Sequence, residues 1–158
     1  MAAHRVLGIS LGTRKMGVAV LKRTSIFDCR MKTFNEVWSE KKLQAIIRIV
    51  EKHITKYRPT EVTIKVPSIT LEDLTVSELL CEIEKLLEAR AIPLHSYTLA
   101  DLKMGWCRNY RANKKQLMKC ILEKYPELRA MYDKEMQGRV KYYEKLFEAV
   151  AVAALRIE

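Results

Sequence analysis

Long hydrophobic runs are missing from this 158-residue sequence. No stretch approaches the roughly 20 apolar residues of a membrane span. The opening Met1-Ala2-Ala3-His4-Arg5 runs straight into a strand pattern without the apolar region of a signal peptide. These absences predict a cytoplasmic protein with no membrane partner. Metal-ligand patterns are missing too. Cys29, Cys81, Cys107 and Cys120 are widely spaced, with no CxxC pair and no nearby histidine, which argues against zinc and for reduced thiols. His4, His53 and His95 are scattered and suggest nothing catalytic. There is no internal repeat, low-complexity tract or long linker. At 49% hydrophobic and 30% charged, the chain fits one globular domain over residues 1–158 with a sizeable core.

What is abundant is positive charge, formally +10, and it is unevenly placed. Lys103, Arg108, Arg111, Lys114, Lys115, Lys119 and Lys124 lie within one segment beside a single acid, Glu123. Between Glu72 and Glu88 the sign reverses, with Glu72, Asp73, Glu78, Glu82, Glu84 and Glu88 against Lys85 alone. A concentrated basic surface attracts phosphates and releases counterions on binding, which favours nucleic acid, DNA or RNA, over a neutral metabolite. The alternative is a solvated lysine-rich face that only maintains solubility. Trp106 and Tyr110 sit among these cations, where rings can stack on unpaired bases or, equally, serve as core.

Periodicity orders the elements. Val6 to Val20 reads as two apolar strands around a turn at Gly12, a residue free to adopt backbone conformations that a Cβ resists. Ser10 ends the first strand, its side chain directed either into the core or out at the mouth of the sheet. Ser25 to Phe34 reads as a third strand. Leu43, Ile46, Ile47, Val50 and Ile54 predict a helix from about Ser39 to Tyr57, stopped by Pro59. A strand follows over Glu61 to Val66, ended by Pro67. Leu79, Leu80, Ile83, Leu86 and Leu87 mark a helix entered near Thr70, and Ile92 to Tyr97 is another strand. Asn113 with Gln116 has the form of a capping box for a helix bearing Leu117, Met118, Ile121 and Leu122. A last helix, about Val140 to Arg156, buries Tyr143, Phe147, Val150, Ala151 and Ala154. The order predicts an α/β fold: a mixed sheet, three-stranded meander first, then alternating helices and strands, flanked by helices.

Three pieces carry a family resemblance: Gly8-Ile9-Ser10-Leu11-Gly12-Thr13 with Gly17-Val18-Ala19-Val20, the strand Glu61-Val62-Thr63-Ile64-Lys65-Val66-Pro67, and Phe147 to Leu155. The first resembles the GIDxGT…GxAV hairpin of the RuvC-like branch of the ribonuclease H-like superfamily, which includes Holliday-junction resolvases. The hairpin and Val66-Pro67 are similar also to the YqgF-type relatives. The hairpin also resembles the phosphate loop of actin-like ATPases, but those need two such domains, and this chain is too short for them.

The RuvC-like resemblance implies a ribonuclease H-like fold whose carboxylates hold two Mg²⁺ ions for phosphodiester cleavage, since hard cations prefer anionic oxygen. It places Ser10, Lys65 and Lys145 where that family carries acids, and Glu148 on the DAxA-like stretch. Of the four, only Glu148 is acidic. A lysine near a divalent ion repels it, and a pair between Lys65 and Glu148 would balance the cleft without metal. These readings predict a nucleic-acid-binding protein without metal-dependent nuclease activity, no metal or other cofactor, and the basic segment with Trp106 and Tyr110 as its contact surface. A homodimer follows from the resemblance. The alternatives are an active endonuclease using Mg²⁺ at a rearranged site of Glu148, Glu144 and Asp101, and a protein-interaction module acting through the acidic helix.

Overall fold

The computed structural model describes residues 4–67, 74–138 and 141–157. Within them the elements are β1 (Arg5–Ser10), β2 (Lys15–Lys22), β3 (Ser25–Thr33), α1 (Glu40–Tyr57), β4 (Glu61–Lys65), α2 (Leu74–Ala89), β5 (Leu94–Tyr97), α3 (Leu99–Cys107), α4 (Lys114–Lys124), α5 (Arg129–Gln137) and α6 (Glu144–Ala154). A short 3₁₀ turn, Pro126–Leu128, links α4 to α5. The five strands form one mixed sheet in the order β3-β2-β1-β4-β5. The meander β1-β2-β3 is antiparallel, and β4 and β5 run parallel to β1. The expected meander and helix-strand alternation are both present. No helix among the described residues is long and apolar enough to cross a membrane.

Alternation along the strands divides the core into two layers. Leu7 and Ile9 of β1, Val18 and Val20 of β2 and Ile64 of β4 pack on Leu43, Ile46 and Val50 of α1 and Leu79 and Ile83 of α2. On the opposite face, Val6, Ala19 and Leu21 meet Phe147, Val150 and other residues of α6, backed by Leu102 of α3 and Leu117 and Ile121 of α4. Gly8 and Gly17 face α6, where an added Cβ would collide with the backbone oxygens of Ala149 and Lys145 respectively. Their missing side chains, and the alanines of α6, let the helix lie directly on the strands. The same alternation puts Ser10 and Lys65 on the α6 face, at the C-terminal ends of two parallel strands.

Several boundaries are fixed by local chemistry. Ser39 caps α1 by accepting from the Lys42 amide at 3.1 Å, and Arg58, at φ 47°, ends it in the left-handed region just before Pro59. The expected capping box of Asn113 and Gln116 opens α4, with both reciprocal bonds at 2.8 Å. A second one, Thr98 with Asp101, opens α3, a helix not picked out individually from the sequence because its apolar residues form no clear stripe. The expected entry to α2 near Thr70 lies outside the described residues, whereas the last helix, expected from about Val140, begins at Glu144, with residues 141–143 non-helical and Tyr143 half-buried at its cap. Gly12 corrects an expectation: no glycine adopts a positive φ, so the β1-β2 turn does not use that freedom. A side chain there would instead strike the Lys15 carbonyl and the aliphatic end of Lys145.

Candidate functional site

The ends of β1 and β4 meet α6 at the mouth of the sheet. Ser10 and Lys65 are register partners on adjacent parallel strands, and α6 sets Glu148 above them. The Ser10 hydroxyl donates to Glu148 Oε1 at 2.8 Å, and Lys65 Nζ stands 3.5 Å from the same oxygen. All three are nearly sealed from solvent, at 0%, 6% and 3% exposure for Ser10, Lys65 and Glu148. A buried carboxylate requires a counter-charge or hydrogen bonds, and here one oxygen receives both. Ser10 is thus resolved as inward-facing, and the Lys65–Glu148 pair anticipated from the residue types is present.

Lys145, one turn before Glu148, turns towards the hairpin and donates from Nζ to the Leu11 carbonyl at 3.2 Å. Burial pulls its amine below the usual 10.5, the neighbouring Lys65 and Lys114 charges push the same way, and Glu148 and Glu144 oppose them. Two ammonium groups therefore border a single sequestered carboxylate. Mg²⁺ requires several oxygen ligands in near-octahedral geometry. A serine hydroxyl, two lysines and a glutamate whose Oε1 is already engaged do not fit that ion. Among the described residues, no group of three or more histidine, cysteine, aspartate or glutamate side chains is placed to hold a metal.

The rearranged acidic site anticipated as an alternative, Glu144 and Glu148 with Asp101, is not assembled. Glu144 forms an ion pair with Lys114 across the gap to α4. The Asp101 carboxylate accepts the Thr98 amide proton at 2.8 Å, and its own amide donates to the Thr98 hydroxyl at 3.2 Å. Capping α3 occupies that carboxylate locally. For the acidic helix, Glu78, Glu84 and Glu88 are exposed on α2 and Glu82 is paired with Lys85 at 3.3 Å; Glu72 and Asp73 lie outside the described residues.

The basic segment spans the end of α3, the 108–113 loop and α4. Arg108, Arg111, Lys114, Lys115 and Lys119 are exposed and Lys103 is half-buried. Tyr110 is 59% exposed, with the Arg111 guanidinium 5.7 Å from its ring centre. Trp106 is placed differently. It is half-buried: its indole N–H donates to the Ala151 carbonyl of α6 at 3.1 Å, its ring packs at 6.3 Å from Tyr125, and Lys124 Nζ lies 5.5 Å from its ring centre. Lys114 joins this surface to the mouth: its hydrogen bond to Glu144 raises its pKa above 10.5 despite partial burial.

Sequence reading missed further cations at the same end of the molecule. Lys15 on the hairpin donates to the Lys141 carbonyl at 2.6 Å and lies 5.4 Å from the Tyr142 ring. Beside it, Thr13, Arg14, Lys15, Trp38 and Lys42 line an open cleft of about 540 Å³. The histidines are less scattered than their spacing suggests. At the start of β4, Glu61 lies 2.6 Å from His4 Nε2 and 3.3 Å from His95 Nε2 and accepts from Arg156 Nε at 2.6 Å. These partners are far apart in sequence, and no local pattern announces them.

No family profile matches the sequence, and no curated protein matches it. Solved structures do. RuvC of Thermus thermophilus, in complex with a Holliday-junction substrate, superposes with a TM-score of 0.74 at 15% identity, covering 95% of this chain and 90% of that one. The yeast mitochondrial Holliday-junction resolvase Ydc2 gives 0.65 at 16% identity over 96% and 77%. The fowlpox virus resolvase, solved with Holliday-junction DNA, gives 0.58 at 7% identity over 96% and 95%. The chain has the RuvC-like, ribonuclease H-like fold.

Proposed function

We propose that this protein uses the resolvase scaffold to bind branched or structured nucleic acid, DNA in the first instance, without metal-dependent cleavage. Arg108, Arg111, Lys115 and Lys119 contact backbone phosphates, Tyr110 offers a ring for an unpaired base, and Lys103 and Lys114 extend the surface towards the mouth. A homodimer, the arrangement implied by the resolvase resemblance, would present two such surfaces to a junction.

The observation that carries the reading is the triangle of Ser10, Lys65 and Glu148, with Lys145 beside it. Where a nuclease of this fold needs acids free to ligate cations, the one remaining carboxylate is buried against an ammonium group. A site so filled excludes the divalent ion electrostatically, while the positive surface outside it continues to attract phosphate.

The test is a titration of the full chain with a four-way DNA junction, linear duplex and structured RNA at several salt concentrations, with and without Mg²⁺ or Mn²⁺. The expected result is salt-dependent binding, strongest to the junction, and intact strands in every lane. Metal-dependent cleavage that disappears in Glu148→Gln would overturn the loss of nuclease activity. Failure to bind any of the nucleic acids at low salt would overturn the binding role.

A further inference from the structure

Two of the four cysteines, separated by twelve residues in the sequence, meet in the fold. Cys107 in the last turn of α3 and Cys120 in the middle of α4 place their sulfurs 3.5 Å apart. Both residues are half-buried, so the contact is held by the packing of the two helices yet remains open to small molecules. By contrast, Cys81 is exposed on α2 and Cys29 lies on β3, across the sheet from α2. A disulfide needs sulfurs about 2.05 Å apart, so the two sulfurs must approach by about 1.5 Å to bond.

We propose that Cys107 and Cys120 form a thiol-pair modification site that a small-molecule disulfide, such as oxidised glutathione, converts into an intramolecular cross-link. The ionised sulfur of one cysteine attacks the glutathione disulfide, forming a mixed disulfide and releasing one glutathione thiolate. The second cysteine sulfur, after losing its proton, attacks the protein sulfur of that mixed disulfide and displaces the other glutathione. Two protein thiols thereby lose two electrons and two protons, and one glutathione disulfide becomes two thiols. Burial, followed by the contact with Cys120, pushes Cys107 up to about 11, so at neutral pH its thiol is mostly protonated and exchange at it is slow. The bridge would tie α3 to α4 and close the loop carrying Arg108, Tyr110 and Arg111. The inference rests on the thiol geometry and is independent of any nucleic-acid binding.

The experiment incubates the native full chain with excess oxidised glutathione to equilibrium, blocks remaining thiols, and maps peptides by mass spectrometry without reduction. A peptide pair joined through Cys107 and Cys120, lighter than its reduced parts by about two daltons, is expected, and dithiothreitol should reverse it. Cys81→Ser should retain the bridge and Cys107→Ser should lose it. Should Cys107→Ser not fold, the wild-type map alone decides. Recovery of Cys107 and Cys120 as free thiols, as separately glutathionylated residues, or in bridges to Cys29 or Cys81 would overturn the proposal.

Discussion

Lys65 and Glu148 form a buried ion pair, 3.5 Å from Nζ to Oε1, that joins the end of β4 to α6. The Ser10 hydroxyl bonds to the same carboxylate oxygen, so a single acceptor holds together two strands and a helix.

Removing one member of that pair leaves an isolated charge in a sealed position. Glu148→Gln keeps an acceptor for Ser10 but strands the Lys65 ammonium, and it should cost about 3–5 kcal/mol in denaturant unfolding. The double variant Lys65→Met with Glu148→Leu removes both charges and should recover most of that loss. Equal destabilisation by the single and double variants would show that the two side chains are not coupled.

Lys145 gives a pH signature. Its folded-state pKa lies below 10.5, so between those two values the unfolded chain binds more protons than the folded one, and stability rises with pH. Below the folded value, the full penalty for burying the charged amine applies. Relative to Lys145→Met, the wild type should therefore gain stability as the pH climbs from neutrality towards 10.5. Parallel stability curves for the two proteins would contradict the burial-driven shift.

Lys114 and Lys115 are sequence neighbours with different electrostatic settings. Lys115 is exposed, whereas Lys114 is paired with Glu144. Lys115→Ala should weaken binding to a DNA junction and lower the slope of log affinity against log salt by about one. Lys114→Ala should change that slope less, because part of its charge is already compensated. Identical slopes for the two variants, measured by fluorescence anisotropy, would argue that the Lys114–Glu144 pair does not persist in solution.

Gly17 tests how closely α6 rides on the sheet. A methyl group there meets the backbone of Lys145 and Leu146, which cannot rotate away. Gly17→Ala should cost about 1–3 kcal/mol, as overpacking does, and by lifting the start of α6 it should also loosen Lys145 and Glu148. An unchanged denaturation midpoint would mean that the helix has slack at this contact.

Much of the framework was legible because it depends on neighbours in the chain. The helical spacing of Leu43, Ile46, Val50 and Ile54 and the reciprocal side chains of Asn113 and Gln116 specify their elements locally, and α1 and α4 lie where they were expected. The helices α3 and α5 were harder to see. Leu102 is the single buried residue of α3 and Glu135 that of α5, so neither carries the apolar stripe on which periodicity depends. Glu135 is buried because its carboxylate accepts the amides of Tyr142 and Tyr143 at 2.8 and 2.9 Å, a relation that no local pattern contains.

The sequence by itself determined which chemical groups stand at the four positions that the family resemblance marks: a hydroxyl, two amines and one carboxylate, too few anionic oxygens for a pair of hard cations. Only the tertiary structure decided how they are shared out. Lys65 pairs with Glu148, Lys145 turns to the Leu11 carbonyl, Glu144 is drawn to Lys114, and Trp106 bonds to Ala151. Residue identity fixes charge and hydrogen-bonding capacity, but each partner here comes from a different element. The choice among them is made by the distance at which packing sets α6 on the strands and α3 and α4 on α6.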